Sequence, residues 1–194
     1  MKYPDLTAGD GEFLLNIIGG WEKFQQVKKG LLTIVVKAAG LLKPVATVSI
    51  PAVSRFVAKD HFTVGTSEVK IGWLGDNFRK HFLAKVEKRV PTIDLAISTL
   101  VSGSLDAPIL AELSDKAETT LASLWHLLCQ QRSGQAGALL TNGYSNIFYI
   151  RDTGGVLWAV SACWHVGCGV WDVGASSVVS PDGWDAGYLV VSRK

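Results

Sequence analysis

From Trp171 the chain alternates: Trp171, Val173 and Ala175 are the larger or more buriable residues, while Asp172, Gly174 and Ser176 are small and mostly polar. A period of two sends alternate side chains to opposite faces, so this stretch predicts a strand with one face in a core and the other toward solvent. The same period over His61–Leu74, in two runs about Gly65-Thr66-Ser67, predicts a hairpin. Helical spacing governs other stretches. Asp10 caps a short helix with apolar positions 13, 14, 17 and 18, and Trp21 to Lys29 predicts a second with Trp21, Phe24 and Val27 on one face, together a helical hairpin. Residues 31–57, β-branched and punctuated by Pro44 and Pro51, predict short strands or irregular packed segments. Asp76 caps a helix running to about Val86, with Phe78, Phe82, Leu83 and Val86 on its apolar face. Residues 90–113 read as a connector with one or two strands and turns at Ser102-Gly103-Ser104 and Ala107-Pro108. The plainest helix follows. Asp115 and Glu118 form a capping box, and Ala117, Leu121, Leu124, Trp125 and Leu128 repeat at helical spacing toward Gly134.

These elements predict an α+β fold, with a helical and mixed N-terminal lobe (1–113) and a mainly antiparallel β-rich C-terminal lobe (114–194). At 48% apolar and 19% charged residues the chain belongs with ordinary globular proteins, not disordered ones. Residues 1–100 carry 14 Lys and Arg against 9 Asp and Glu, and residues 101–194 carry 5 against 8. That skew falls short of the clustered basic stripe of a nucleic-acid surface. Three cysteines make no disulfide framework and suit a reducing compartment. Neither a secretory signal nor a run of about 18 apolar residues is visible, so the expectation is a cytoplasmic chain with no membrane segment.

Composition singles out Ile147–Ser192. Four of the seven Trp lie here, and these 46 residues contain no Lys, Glu, Gln or Met, although an even spread of the chain's 25 such residues would put about six there. Strands disfavour Lys and Glu, which accounts for part of the gap.

Candidate chemistry in this stretch is sparse. Cys163, His165 and Cys168 are soft ligands, but their spacing is not that of paired zinc ligands, and no metal or other cofactor is expected. Cys163 and His165 on one strand lack an orienting group for nucleophilic catalysis. Asp172, Asp182 and Asp185 could serve as an acid–base pair, yet Pro181-Asp182-Gly183 is ordinary turn chemistry. Asp152-Thr153-Gly154-Gly155 reads as a hairpin turn, since the glycine spacing and following Lys of a phosphate loop are missing.

From Asn146 the matching residues are Asn146, Ile147, Phe148, Tyr149, Asp152, Gly155, Val156, Leu157, Ala159, Val160 and Trp164, then Trp171, Val173, Ala175, Ser177, Val178, Pro181, Trp184, Gly187, Val190, Ser192 and Arg193. This pattern resembles the C-termini of uncharacterised proteins of small-genome uncultured bacteria, and the variable proteins diversified by diversity-generating retroelements. A looser likeness extends upstream through Gly19-Gly20, Leu74–Phe78, Asp106–Leu113 and Leu139–Gly143. Trp158 stands where the pattern has Arg and Val191 where it has Phe, and the Trp164–Trp171 spacing is about two residues longer.

The resemblance implies mutation of adenines in asparagine-type codons with a fixed pyrimidine third base. Such codons cannot become Lys, Glu, Gln, Met or Trp, which would account for the gap. It implies a variable ligand-binding set of Ser161, Cys163, His165, Val166, Asp172, Gly174, Ser176, Asp182, Gly183, Asp185, Tyr188 and Leu189. The framework would include Trp164, Trp171, Pro181, Trp184 and Gly187, and the fold would be C-type-lectin-like. The function expected is non-catalytic recognition of a protein or other macromolecular ligand. Two alternatives stand beside it: a hydrolase-type enzyme using Cys163 and His165 or the Asp carboxylates, and a nucleic-acid or scaffold module in the basic N-terminal half.

Overall fold

The structure, a computed structural model, describes residues 20–28 and 40–194 apart from 66 and 67. The expected helix over residues 10–18, and with it the helical hairpin, lies outside the described residues. Two compact units divide at residues 39 and 40. In the first, helix α1 (Trp21–Lys28) matches the second expected helix.

The second unit is α+β. Its centre is a seven-stranded sheet built from β1 (Leu42–Ile50), β3 (Ile71–Leu74), β5 (Ile93–Leu100), β6 (Ser145–Arg151), β7 (Leu157–His165), β8 (Val170–Ser177) and β9 (Leu189–Arg193). The spatial order is β1-β5-β9-β6-β7-β8-β3. β3 pairs parallel with β8 and β6 parallel with β9, and the other four neighbours are antiparallel. Strands from both sides of residue 113 therefore share one sheet, where the sequence suggests two lobes. A separate ribbon joins β2 (Val53–Val57) to β4 (Val86–Val90).

Each face of the sheet carries its own core. On one, Phe148, Ile150, Val160, Ala162, Trp164, Trp171 and Val173 pack with α3 (Asp76–Phe82) and α5 (Leu121–Gln130) through Phe78, Phe82, Leu124 and Leu128. On the other, Ile147, Tyr149, Ala159 and Val190 pack with Ile109 of α4 (Asp106–Leu113). Covering both faces explains why β6 reads as a nearly continuous apolar run, with Asn146 through Ile150 all buried. Asn146, fully buried, stays satisfied by accepting from Leu140 N and donating to Leu140 O and Ala162 O.

Four expectations need correction. Among the described residues of 61–74 no antiparallel hairpin forms: His61 ends a short helix, α2 (Ala58–His61), Phe62 is buried among Phe56, Phe78 and Trp125, and β3 completes the sheet edge beside β8. The helix after Gly75 stops at Phe82, and Val86 begins β4. Residues 106–113 are helix α4, where turns are expected, because Pro108 sits in a first turn whose N–H groups need no intrahelical acceptor. α5 starts at Leu121, with Thr120 as cap, in place of the capping box at Asp115 and Glu118.

Candidate functional site

The site is the end of the second sheet face that α4 leaves open. In β7 the residues with packing partners in the first core are Val160, Ala162 and Trp164, so Ser161, Cys163 and His165 project the other way. In β8 the same division buries Trp171, Val173 and Ala175 and leaves Asp172, Gly174 and Ser176 on the opposite face. Register brings the two outward sets together: Ala159 opposes Ser176, Ser161 opposes Gly174, and Cys163 opposes Asp172.

Behind this face the framework is buried and hydrogen-bonded. Trp171 is fully buried, donates its indole N–H to the Gln131 carbonyl at 3.0 Å, and meets Trp164 edge-on with ring centroids 5.4 Å apart. Gln131 is itself buried and bonds Leu139 through both its side-chain oxygen and nitrogen. The carboxylate of Asp152 accepts from Gly154 N, Val156 N and the Trp158 indole, with His81 Nδ1 3.2 Å from Oδ2, which fixes the β6–β7 turn. Trp158, standing where the resembled pattern has Arg, is a neutral donor to Asp152, and its ring tilts against His81 with centroids 4.4 Å apart.

The β8–β9 connection, residues 178–188, extends the face. Trp184 bridges to Ser104, and its indole N–H donates to Asp106 Oδ1 at 2.7 Å. Asp106 is buried and also accepts the Tyr149 hydroxyl at 2.7 Å. Burial raises its carboxyl pKa, against the pull of these two donors. A hollow of about 100 Å³ lies here, lined by Asp106, Ser176, Ser180, Asp182, Gly183 and Trp184.

Eleven of the twelve residues expected to vary lie on this open face, its turn or its loop. Val166 is exposed in the β7–β8 turn, Asp182, Gly183 and Asp185 are exposed in the loop, and Tyr188 is half-buried with its hydroxyl donating to Asp185 at 3.3 Å. Leu189 is the exception. It is 4% exposed, because in β9 it points away from the face that holds Tyr188 and Val190. Of the framework residues, Trp164 and Trp171 are buried and Trp184 half-buried, whereas Pro181 is exposed in the loop. Gly187 has φ of 92° and leaves room for Tyr144, whose ring a side chain there would meet at 3.0 Å.

Two aromatic residues outside the expected set border the same face. Trp73 of β3 is 53% exposed, and a Cβ at Gly174 would sit 3.6 Å from its ring. Tyr144 is 46% exposed and tilts against Tyr188 at 5.5 Å. Trp73 was hidden from sequence reading because its partner in β8, Asp172, lies 99 residues downstream, outside any local pattern.

The chemical alternatives fare as follows. The Cys163 thiol donates to the Gly143 carbonyl at 3.0 Å, and burial, with Asp172 opposite, raises its pKa. That disfavours the thiolate a nucleophile needs. His165 Nδ1 accepts from Cys168 N at 3.2 Å, and among the described residues no hydrogen bond joins it to Cys163. No group of three or more His, Cys, Asp or Glu among the described residues is placed to hold a metal ion. Nor is any helix there long and apolar enough to cross a membrane. No family model, curated protein or solved structure matches the chain.

Proposed function

We propose that the protein is a non-catalytic binding protein of the kind diversified by a retroelement, and that the open face of β7 and β8 with the 178–188 loop contacts a protein ligand. The observation that carries this reading is the register: Ser161 faces Gly174 and Cys163 faces Asp172 on one surface, while the residues between them are buried. Substitution on such a face leaves the core unchanged, which a diversified surface requires. Exposed Trp73 and Tyr144 at its border supply large contact area at low conformational cost, and the small residues between them adapt to a partner. A lectin-like fold is not needed for this reading, since the two-stranded face and its loop suffice.

Sequencing the coding locus and its flanks tests it. The expected result is a near-identical template copy beside a reverse-transcriptase gene, with adenines wherever the copies differ at the surface positions. A genome with no such copy overturns the retroelement assignment, and the missing Lys and Glu then revert to β-sheet composition.

A further inference from the structure

The hollow beside Trp184 differs from the rest of the face in having a buried charged group at its base. Asp106 is 1% exposed, and its Oδ1 takes both the Tyr149 hydroxyl and the Trp184 indole N–H. Among the described residues no donor meets Oδ2. Among the described residues no buried side-chain oxygen lacks a partner, so Oδ2 is the part of Asp106 that stays open to the hollow, where a cationic donor would be bound most strongly. Asp182 at the rim adds a second carboxylate, its Oδ2 accepting from Ser180 Oγ at 3.2 Å. From residue 152 to residue 192 the chain carries four Asp and no Lys or Arg, and two carboxylates line the hollow, so a cationic group is its electrostatic complement. Size narrows the choice further. An apolar cavity of roughly 150 Å³ takes up benzene; at about 100 Å³ this hollow suits the head of a side chain, not a sugar ring or a base. The Trp184 indole in its wall offers a surface on which a planar cation can stack.

We infer that this hollow is an anchor socket for the cationic head group of a basic side chain on the protein partner. The inference rests on the recognition reading above and gives it a chemical class: the ligand presents an arginine or lysine to a fixed acceptor. Asp106 and Trp184 lie outside the positions expected to vary, whereas Ser176, Asp182 and Gly183 lie within them. The base of the socket is therefore constant and its rim tunable, so that different rims select different flanking residues around the same basic anchor.

The test uses the full chain, labelled with nitrogen-15, and follows the Trp184 indole N–H resonance, assigned through Trp184→Phe. Titration with N-acetylarginine amide is expected to move this resonance saturably, and the neutral isostere N-acetylcitrulline amide is expected to leave it in place. Asp106→Asn keeps the shape and one acceptor oxygen for Tyr149 and Trp184 but removes the charge and turns the second oxygen into an amide donor, and should weaken the arginine probe about tenfold or more. Because Asp106 also supports Tyr149, the exposed Asp182→Asn variant provides a second reading and should weaken the probe by about threefold. No saturable shift with the arginine probe, an equal response to citrulline, or unchanged affinity in both variants overturns the socket. A template copy at the locus together with a failed arginine titration removes the socket and leaves the recognition reading intact. Arginine binding without a template copy does the reverse.

Discussion

Single residues in this protein hold their places by contacts that leave little room for change, and Gly134 is the sharpest case. Its φ is +70°, and a Cβ there would sit 2.1 Å from the Trp164 ring, so Gly134→Ala adds backbone strain to a clash with a buried indole. The expected loss is about 1–3 kcal/mol in denaturant unfolding, with a change in tryptophan emission as Trp164 shifts against Trp171. Asp152 gives a pH-dependent counterpart. Burial pushes its carboxyl up, but the Val156, Trp158 and Gly154 donors and the neighbouring His81 outweigh burial and hold the pKa below its ordinary value of 3.8. Its stabilising contribution is therefore present above that value and lost as pH falls through the lower folded one. Asp152→Asn should cost about 1–3 kcal/mol at neutral pH, and thermal unfolding should show the deficit shrinking as pH approaches 3. Asp106, raised by burial, works in the opposite sense, its ionisation opposing folding above the raised value. An Asp152→Asn deficit as large at pH 3 as at pH 7 would rule out the ionised hub. Turn residues such as Asp152 were legible because turn chemistry is local. The full set of groups converging on its carboxylate was not, since His81, 3.2 Å from it, comes from 71 residues away.

Elements were legible where pattern and packing agree over a short span. The alternation at Trp171–Ser176 became β8, and the repeat from Leu121 to Leu128 became α5, both with the predicted residues inward. The misreadings share a cause in long-range partners. The α5 N-terminus is satisfied by Thr120 and by Glu87 of β4, whose two carboxylate oxygens accept from Leu121 N and Ala122 N at 3.0 and 2.9 Å. No local rule predicts a cap drawn from a strand 34 residues earlier. Glu118, the expected cap partner, instead pairs with Arg151 at 2.9 Å. A carboxylate on two free N–H groups at the positive end of a helix is strongly placed. Glu87→Ala should therefore destabilise the protein by about 1–3 kcal/mol, and hydrogen exchange should show the amides of Leu121 and Ala122 losing protection first. Uniform protection of α5 in that variant would mean that Thr120 alone suffices. β4 itself escaped notice because the helical spacing of Phe78, Phe82 and Val86 runs on into it, and only the ribbon with β2 ends the helix at Phe82.

For the molecule as a whole, what matters is that one sheet separates two populations of side chains by register alone. The first population, Val160, Ala162, Trp164, Trp171 and Val173, packs under α3 and α5, and there truncation leaves a hole the surroundings cannot fill. Trp171→Ala removes a fully buried ring together with its hydrogen bond to Gln131, for an expected loss of about 3–5 kcal/mol. The second population lies on the open face, which holds most of the positions expected to vary; Leu189 is instead buried, since a strand's phase cannot be fixed across a loop of uncertain length. At Gly174 a Cβ would meet only ordinary contacts, 3.5 Å from Ser161 and 3.6 Å from Trp73, and Ser176 and Asp182 are exposed. A variant combining Gly174→Ser, Ser176→Asn and Asp182→Asn should therefore stay within about 1.5 kcal/mol of the parent, as substitutions at such sites each stay near ±0.5. Leu189→Asn, although at a position expected to vary, should behave like Trp171→Ala and lose several kcal/mol, roughly the cost of a buried unpaired amide added to lost packing. Urea unfolding of the three variants decides it. A triple variant as damaged as Trp171→Ala would show that the open face is part of the core, and a display surface could not then be built on it.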